Sequence, residues 1–129
     1  NDITASLIDS SFRRFVKLMD NHLSASKFLF GEKPSSADFA FYGQLTQLIG
    51  FDPTSRKIVY DSSKRLIAWV DVMADLSGHD VNNCKWMVLE DSPETLKELL
   101  KEFGKMYAPA LVANGVYSSS RATFSKMAP

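Results

Sequence analysis

The chain has 129 residues, of which 45% are hydrophobic and 23% are charged, and its formal net charge is +0. This balance is typical of a soluble globular domain and excludes disorder, fibres and a basic nucleic-acid-binding surface. No apolar run approaches the roughly 18–20 residues of a membrane span, and the N-terminus lacks a basic region followed by an apolar stretch. We therefore expect neither nucleic acid nor a membrane as a partner.

The first predicted element is an amphipathic helix of about six turns that begins near Asp2. Its apolar residues recur at spacings of three and four: Ile3, Leu7, Ile8, Phe12, Phe15, Val16, Met19 and Leu23. The opposite face carries charged residues, including Arg13 and Lys17, and we expect it to be solvated. His22, near the end of this helix, is predicted to complement the negative helix terminus rather than to act as a base.

The stretch from Phe28 to Phe51 joins a stop signal, a turn and a new helix. Gly31 can adopt a positive φ, and Pro34 suits the approach to a helix. Ser35 precedes Asp38 by three residues, which predicts a reciprocal capping box between the two side chains and the two backbone N–H groups. Catalysis is not needed to explain either residue.

The helix that follows the capping box is almost entirely apolar, with few polar positions. An apolar surface on most sides predicts burial on most sides, so this helix is expected to be the central post of the core. Gly43 weakens helix propensity by about 1 kcal/mol, which predicts a neighbouring backbone passing close to it.

Further helices are predicted along the rest of the chain. A loop with a short helical turn at 55–60 follows the break at 50–54, and a third amphipathic helix runs from Ser62 or Ser63 to Gly78 with Trp69 as a core anchor. The sequence 91–94, Asp-Ser-Pro-Glu, predicts the start of another helix, with its proline at the first helical position. This helix is predicted to be interrupted by Pro109 and by Asn114-Gly115. A tail follows that could hold a short helix at 121–126. No strand is predicted, so the fold class is all-α, a bundle of about four to six helices.

Candidate chemistry is sparse in this sequence. His79, Asp80 and Cys84 form the nearest cluster of metal-ligand types, but they lack a partner cluster, and we predict no metal site. Neither a G-x-S-x-G motif nor a phosphate-binding glycine loop occurs. Cys84 is predicted to be passive, and the absence of a second cysteine favours a cytoplasmic location. We assign no catalytic residue, and we expect the chain alone to be inactive.

Gly31 followed by Pro34-Ser35-Ser36-Ala37-Asp38-Phe39 resembles the capping-box signature of the C-terminal helical domain of glutathione transferases. Three further segments resemble the bacterial branch of that family: Phe28-Leu29-Phe30, Asp52-Pro53-Thr54 and Trp69-Val70. We expect a single domain over 1–129, with a core at 1–78 that carries the resemblance and a further helix and tail at 79–129. The run 107–114 resembles a segment of uncharacterised bacterial transferase-like proteins.

The resemblance implies a thioredoxin-like domain that precedes the helical one, binds glutathione as co-substrate and supplies the residue that stabilises the thiolate. Because the first residue is Asn1, we expect the chain to be processed or cut from something longer, and we expect no cofactor within it. The helical domain would form one wall of a site for an apolar electrophile and part of a homodimer contact. Candidate wall residues are Phe12, Arg13, Lys17, Trp86 and Tyr107.

Two other functions fit the same sequence. One is a non-catalytic protein–protein interaction module, since this helical domain also serves assembly in some translation and trafficking proteins. The other is a free-standing ligand-binding bundle, which requires an internal apolar cavity. The full-length coding sequence separates these alternatives, because only the transferase requires a thioredoxin-like segment with a thiol-stabilising residue.

Overall fold

A computed structural model describes residues 2–80, 82–88, 90–109 and 111–117, and these residues form an all-α fold, as predicted. The helices are α1 (Asp2–Leu23), α2 (Ser36–Gly50), α3 (Pro53–Ser62), α4 (Lys64–Ala74) and α5 (Glu94–Met106). Residues 108–109 and 111–117 are also helical, and no β-strand occurs within the described ranges. None of the described helices is both long and apolar enough to cross a membrane.

The core lies between α1, α2, α3 and α4 and is closed by the turn after α1. Trp69 is 5% exposed, so its predicted role as a core anchor is confirmed. Its indole Nε1 is buried and has no hydrogen-bond partner among the described residues. The buried apolar side chains of this core come from four helices and the turn: Val16, Met19, Leu23, Phe28, Leu29, Leu45, Ile49, Ile58, Val59, Leu66, Trp69 and Met73.

The apolar stripe of α1 is only partly used. Val16 and Met19 are fully buried, whereas Leu7 and Ile8 in the first turns are 55% and 64% exposed. The other core elements cover α1 from about Phe12 onward. The periodicity therefore gives the correct helix but extends the buried face too far towards its N-terminus.

The predicted burial of α2 on most sides is wrong for the described residues. Leu45 and Ile49 face the core, but Phe39 is 50% exposed. A Cβ atom added at Gly43 would meet nothing within 4 Å, so the close backbone predicted there is not found in the described ranges. The side of α2 that carries Phe39 and Gly43 is therefore left uncovered by the described elements.

The segment predicted as a loop after α2 is the helix α3. Asp52 is its N-cap: its Oδ1 accepts the Thr54 N–H at 3.0 Å, and its Oδ2 accepts the Ser55 hydroxyl at 2.6 Å. Pro53 occupies the first helical position, where its missing N–H costs nothing. Asp52 and Pro53, which were predicted to belong to a break between helices, therefore begin a helix.

The remaining boundaries also differ from the predictions. Ser63 caps α4 by accepting the Leu66 N–H at 2.9 Å, and α4 ends at Ala74, before the predicted Gly78. Pro93 is the N-cap of α5 and not its first helical residue. Residues 108–109 and 111–117 are helical, so the predicted interruptions at Pro109 and at Asn114-Gly115 are not found there. The short helix suggested at 121–126 lies outside the described residues.

Candidate functional site

The capping box at the start of α2 is complete in the structure. The Ser35 N–H donates to Asp38 Oδ2 at 2.8 Å, and the Asp38 N–H donates to Ser35 Oγ at 3.3 Å. The other carboxylate oxygen, Oδ1, accepts the Leu29 N–H at 2.8 Å. Asp38 is fully buried, and its oxygens are all engaged by the protein. Its geometry is that of a structural residue that fixes α2 against the preceding turn.

The turn after α1 is held by the segment 84–88. The Met87 N–H donates to the Phe30 carbonyl at 2.9 Å, and the Glu32 N–H donates to the Lys85 carbonyl at 3.3 Å. Gly31 lies between these bonds with φ of +115°, and a Cβ there would lie 3.0 Å from the Met87 nitrogen. Trp86, one of the predicted wall residues, projects from this segment and is 54% exposed.

His22 is fully buried and ties the turn to α5. Its Nε2 lies 3.1 Å from the Leu29 carbonyl oxygen, and its Nδ1 lies 3.0 Å from Thr95 Oγ1. A carbonyl only accepts, so Nε2 carries a proton, and in the neutral ring Nδ1 accepts from the Thr95 hydroxyl. His22 does lie in the last turn of α1, but its ring serves the packing of α5 and not the helix terminus.

Five aromatic rings form a continuous row across α1, α2 and the end of α5, here named the aromatic row. Its centroid distances are 6.2 Å for Phe12–Phe15, 5.4 Å for Phe15–Phe41, 6.2 Å for Phe41–Phe103 and 5.1 Å for Phe103–Tyr107. Phe103 and Tyr107 are 45% and 52% exposed, so this end of the row is open to solvent. Two predicted wall residues, Phe12 and Tyr107, thus belong to one surface. The sequence prediction missed its other three members: Phe15 and Phe103 lie three and four residues from Phe12 and Tyr107, whereas Phe41 lies on α2 and has no such local signal.

Arg13 lies in a different place, on the side of α1 that meets α3. Its Nε donates to Asp9 Oδ2 at 2.7 Å. It lines a surface groove of about 270 Å³, here named the α1–α3 groove, whose lining residues are Arg13, Pro53, Thr54, Lys57, Ile58 and Asp61. Lys17 is exposed and makes no ion pair within the described ranges. The five predicted wall residues are therefore not gathered into one site.

The polar side chains of residues 75–80 and 82–88 contact one another and Glu32 of the turn after α1. The His79 ring nitrogen Nε2 lies 3.1 Å from the Glu32 carbonyl oxygen, and the Cys84 thiol donates to the Asp80 carbonyl at 2.8 Å. No group of three or more His, Cys, Asp or Glu side chains in the described part of the chain could hold a metal ion. These residues serve to position the segment that packs on Gly31.

The chain matches a protein-family model. The family model described as Glutathione S-transferase, C-terminal domain, matches residues 5–72, which is more than half of the chain and runs from α1 into α4. Searches of curated proteins and of solved structures gave no match. The matched region includes the complete capping box and the buried Trp69. The chain therefore belongs to the family of glutathione S-transferase C-terminal domains.

Proposed function

We propose that this chain is the C-terminal domain of a glutathione transferase-like protein and forms one wall of its site for an apolar electrophile. The observation that carries this proposal is the aromatic row, which is packed at Phe15 and Phe41 and open at Phe103 and Tyr107. Glutathione, the co-substrate, binds to a preceding thioredoxin-like domain that supplies the thiolate chemistry. The reaction takes place in the cytoplasm, where the glutathione pool is kept reduced.

The aromatic row suits this role because it offers apolar area and ring faces without a strong charge. Each buried Å² of apolar surface contributes about 25 cal/mol, and an aromatic pair adds about 0.5–1.5 kcal/mol. A wall of this kind accelerates the reaction by placing the electrophile near the thiolate, which is a proximity effect. Proton transfer is left to the preceding domain.

The first test is calorimetric titration of glutathione into this chain and, in parallel, into the full-length product of its coding sequence. We expect heat of binding only from the longer protein. The absence of binding by both proteins would overturn the transferase proposal and favour the interaction module.

The second test addresses the aromatic row in the full-length protein. Phe103→Ala and Tyr107→Ala are expected to lower kcat/KM for an aryl electrophile about tenfold, while the Kd for glutathione stays unchanged. Phe51→Ala is the matched control, because Phe51 is also a large exposed aromatic residue, 78% exposed, but lies outside the row. Equal effects of all three substitutions would show that the row is not the wall.

A second candidate function is a non-catalytic interaction module that binds a partner through the outward face of α2. A homodimer contact would use this same face of α2. Its support is the outward face of α2, where Phe39 is 50% exposed beside Ala40, Gly43 and Gln44. An uncharged face with an exposed aromatic ring is typical of a surface that becomes buried on association. Sedimentation velocity of the wild type and of Phe39→Ser tests it, since the substitution is expected to weaken self-association or partner binding.

A further inference from the structure

Two opposite charges face the α1–α3 groove without pairing with each other. Arg13 of α1 and Asp61 of α3 both line the groove, but each is held by a neighbour on its own helix: Asp9 lies 2.7 Å from Arg13 Nε, and Lys57 Nζ lies 2.8 Å from Asp61 Oδ2. No ion pair joins Arg13 to Asp61 within the described ranges. The groove thus separates a cation from an anion and leaves room for a molecule between them.

The two charges nevertheless influence each other across this space. The pKa of Arg13 is raised mainly by its hydrogen bond and charge interaction with Asp9, and the Asp61 carboxylate adds to the effect. The pKa of Asp61 is lowered first by Lys57, and Lys64 and Arg13 add to that effect. Because both residues line the same groove of about 270 Å³, one small molecule can contact both.

Hydrogen-bonding capacity remains unused on both sides of the groove. Asp9 engages Nε and Nη2 of Arg13, and Lys57 engages Oδ2 of Asp61. Arg13 Nη1, Asp61 Oδ1 and the Thr54 hydroxyl make no hydrogen bond within the described residues. A guanidinium group is suited to a carboxylate, and a carboxylate is suited to an ammonium group.

The rest of the groove sets the kind of molecule it admits. Pro53 and Ile58 supply apolar lining, and Ile58 is only 4% exposed, so its side chain forms a fixed floor. The charges of Arg13 and Lys57 balance those of Asp9 and Asp61, so a neutral zwitterion adds no uncompensated charge, whereas a simple anion or cation does. The volume of about 270 Å³ lies just below the range of about 300–1,000 Å³ that is usual for sites of drug-sized ligands, so the groove admits only a small molecule.

We propose that the α1–α3 groove binds a small α-amino acid with an apolar side chain. Its carboxylate contacts Arg13 and Thr54, its ammonium group contacts Asp61, and its side chain lies on Ile58. The existing ion pairs are exposed and contribute little, so sharing them with a ligand costs little. This site goes beyond the proposed function, because it shares no residue with the aromatic row.

A matched series of probes tests the proposal on the 129-residue chain by NMR titration. L-phenylalanine carries both charges, 3-phenylpropanoate lacks the ammonium group, and 2-phenylethylamine lacks the carboxylate. We expect saturable shifts of the 54–61 amide signals with L-phenylalanine, with a Kd of about 1 mM for a molecule of this size. Each analogue is expected to bind about tenfold more weakly. No saturation with L-phenylalanine, or equal binding of either analogue, would overturn the proposal.

Variants locate the bound molecule. Arg13→Gln and Asp61→Asn remove one charge each and are expected to weaken L-phenylalanine binding about tenfold. Arg14→Gln is the matched control, because Arg14 is an exposed cation on the same helix that pairs with Glu102 on α5. All three changed side chains are exposed, so folding is expected to persist, and circular dichroism checks it. Unchanged binding by folded Arg13→Gln or Asp61→Asn would also overturn the proposal, and if either variant unfolds, the probe series decides alone.

Discussion

The carboxylate of Asp38 accepts a hydrogen bond from the Leu29 N–H at 2.8 Å, outside the helix that Asp38 caps. The carbonyl of the same residue, Leu29, accepts from His22 Nε2 at 3.1 Å. One backbone residue therefore joins two fully buried polar side chains. Through this arrangement the start of α2, the end of α1 and the first turn of α5 are held in register.

We predict that Asp38→Ala destabilises the domain by about 1.5–5 kcal/mol. Loss of the cap accounts for about 0.5–2 kcal/mol, and the buried Leu29 N–H left without an acceptor accounts for about 1–3 kcal/mol. Urea unfolding measures the change, and Asp38→Asn is the control, because it keeps one acceptor oxygen. A loss below about 1.5 kcal/mol would show that the Leu29 N–H finds another acceptor and that only the cap is lost.

We predict a coupling of about 1 kcal/mol between His22 and Thr95 in a double-mutant cycle. Thr95→Val removes the hydroxyl at nearly constant volume, and His22→Leu removes both ring hydrogen bonds. Unfolding free energies of the two single variants and the double variant give the coupling. Strict additivity would mean that the 3.0 Å contact contributes nothing to the docking of α5.

Gly31→Ala and Gly78→Ala form a matched pair. Both glycines have positive φ, +115° and +77°, so alanine is strained at either position by about 1–2 kcal/mol. A Cβ added at Gly31 would also lie 3.0 Å from the backbone nitrogen of Met87, whereas a Cβ added at Gly78 would meet nothing within 4 Å. We expect Gly31→Ala to lower the urea midpoint more than Gly78→Ala does. Equal decreases in the urea midpoint would show that the 84–88 segment moves away from residue 31 at no measurable cost in stability.

Gly43→Ala is expected to have the opposite sign. The position lies inside α2 and a Cβ there meets nothing within 4 Å, so alanine stabilises the helix by about 0.5–1 kcal/mol. Thermal and urea unfolding at low protein concentration measure this gain. A loss of stability would instead indicate that another chain packs against α2 at this point.

Asp52 gives α3 a dependence on pH. Its pKa is lowered by the hydrogen bond from the Ser55 hydroxyl and then by the Thr54 N–H. A carboxyl whose folded pKa lies below its unfolded value, about 3.9, stabilises the fold above that value and loses this contribution as the pH falls through the folded pKa. The stability difference between the wild type and Asp52→Asn should therefore be full at pH 7 and shrink below about pH 4. A difference that does not change with pH would contradict this account.

Local signals in the sequence predict local structure well here. The spacing of apolar residues gives α1, and Ser35 with Asp38 marks the start of α2, because a cap depends only on neighbouring residues. Local signals are misread at Asp52-Pro53, which cap and begin α3. The helix that follows is short and lacks a strong apolar stripe, so the aspartate and proline are interpreted as part of a loop.

Long-range features could not be predicted in this way. An apolar pattern around α2 shows that its residues favour burial, but it does not show which neighbour is present, and Phe39 remains half exposed. The aromatic row joins rings that are far apart in the chain, such as Phe15 and Phe41. The contact of His22 with Thr95 spans 73 residues and has no local signature.

That span has a consequence during synthesis of the protein. While the ribosome extends the chain, α1 to α4 and the Asp38 cap can assemble before residue 95 has emerged. Until then the only one of its two partners that His22 can reach is the Leu29 carbonyl, and Nδ1 lacks the Thr95 hydroxyl. The contact between His22 and Thr95 can form only after residue 95 has emerged, so we expect α5 to be the last of these helices to dock on the nascent domain.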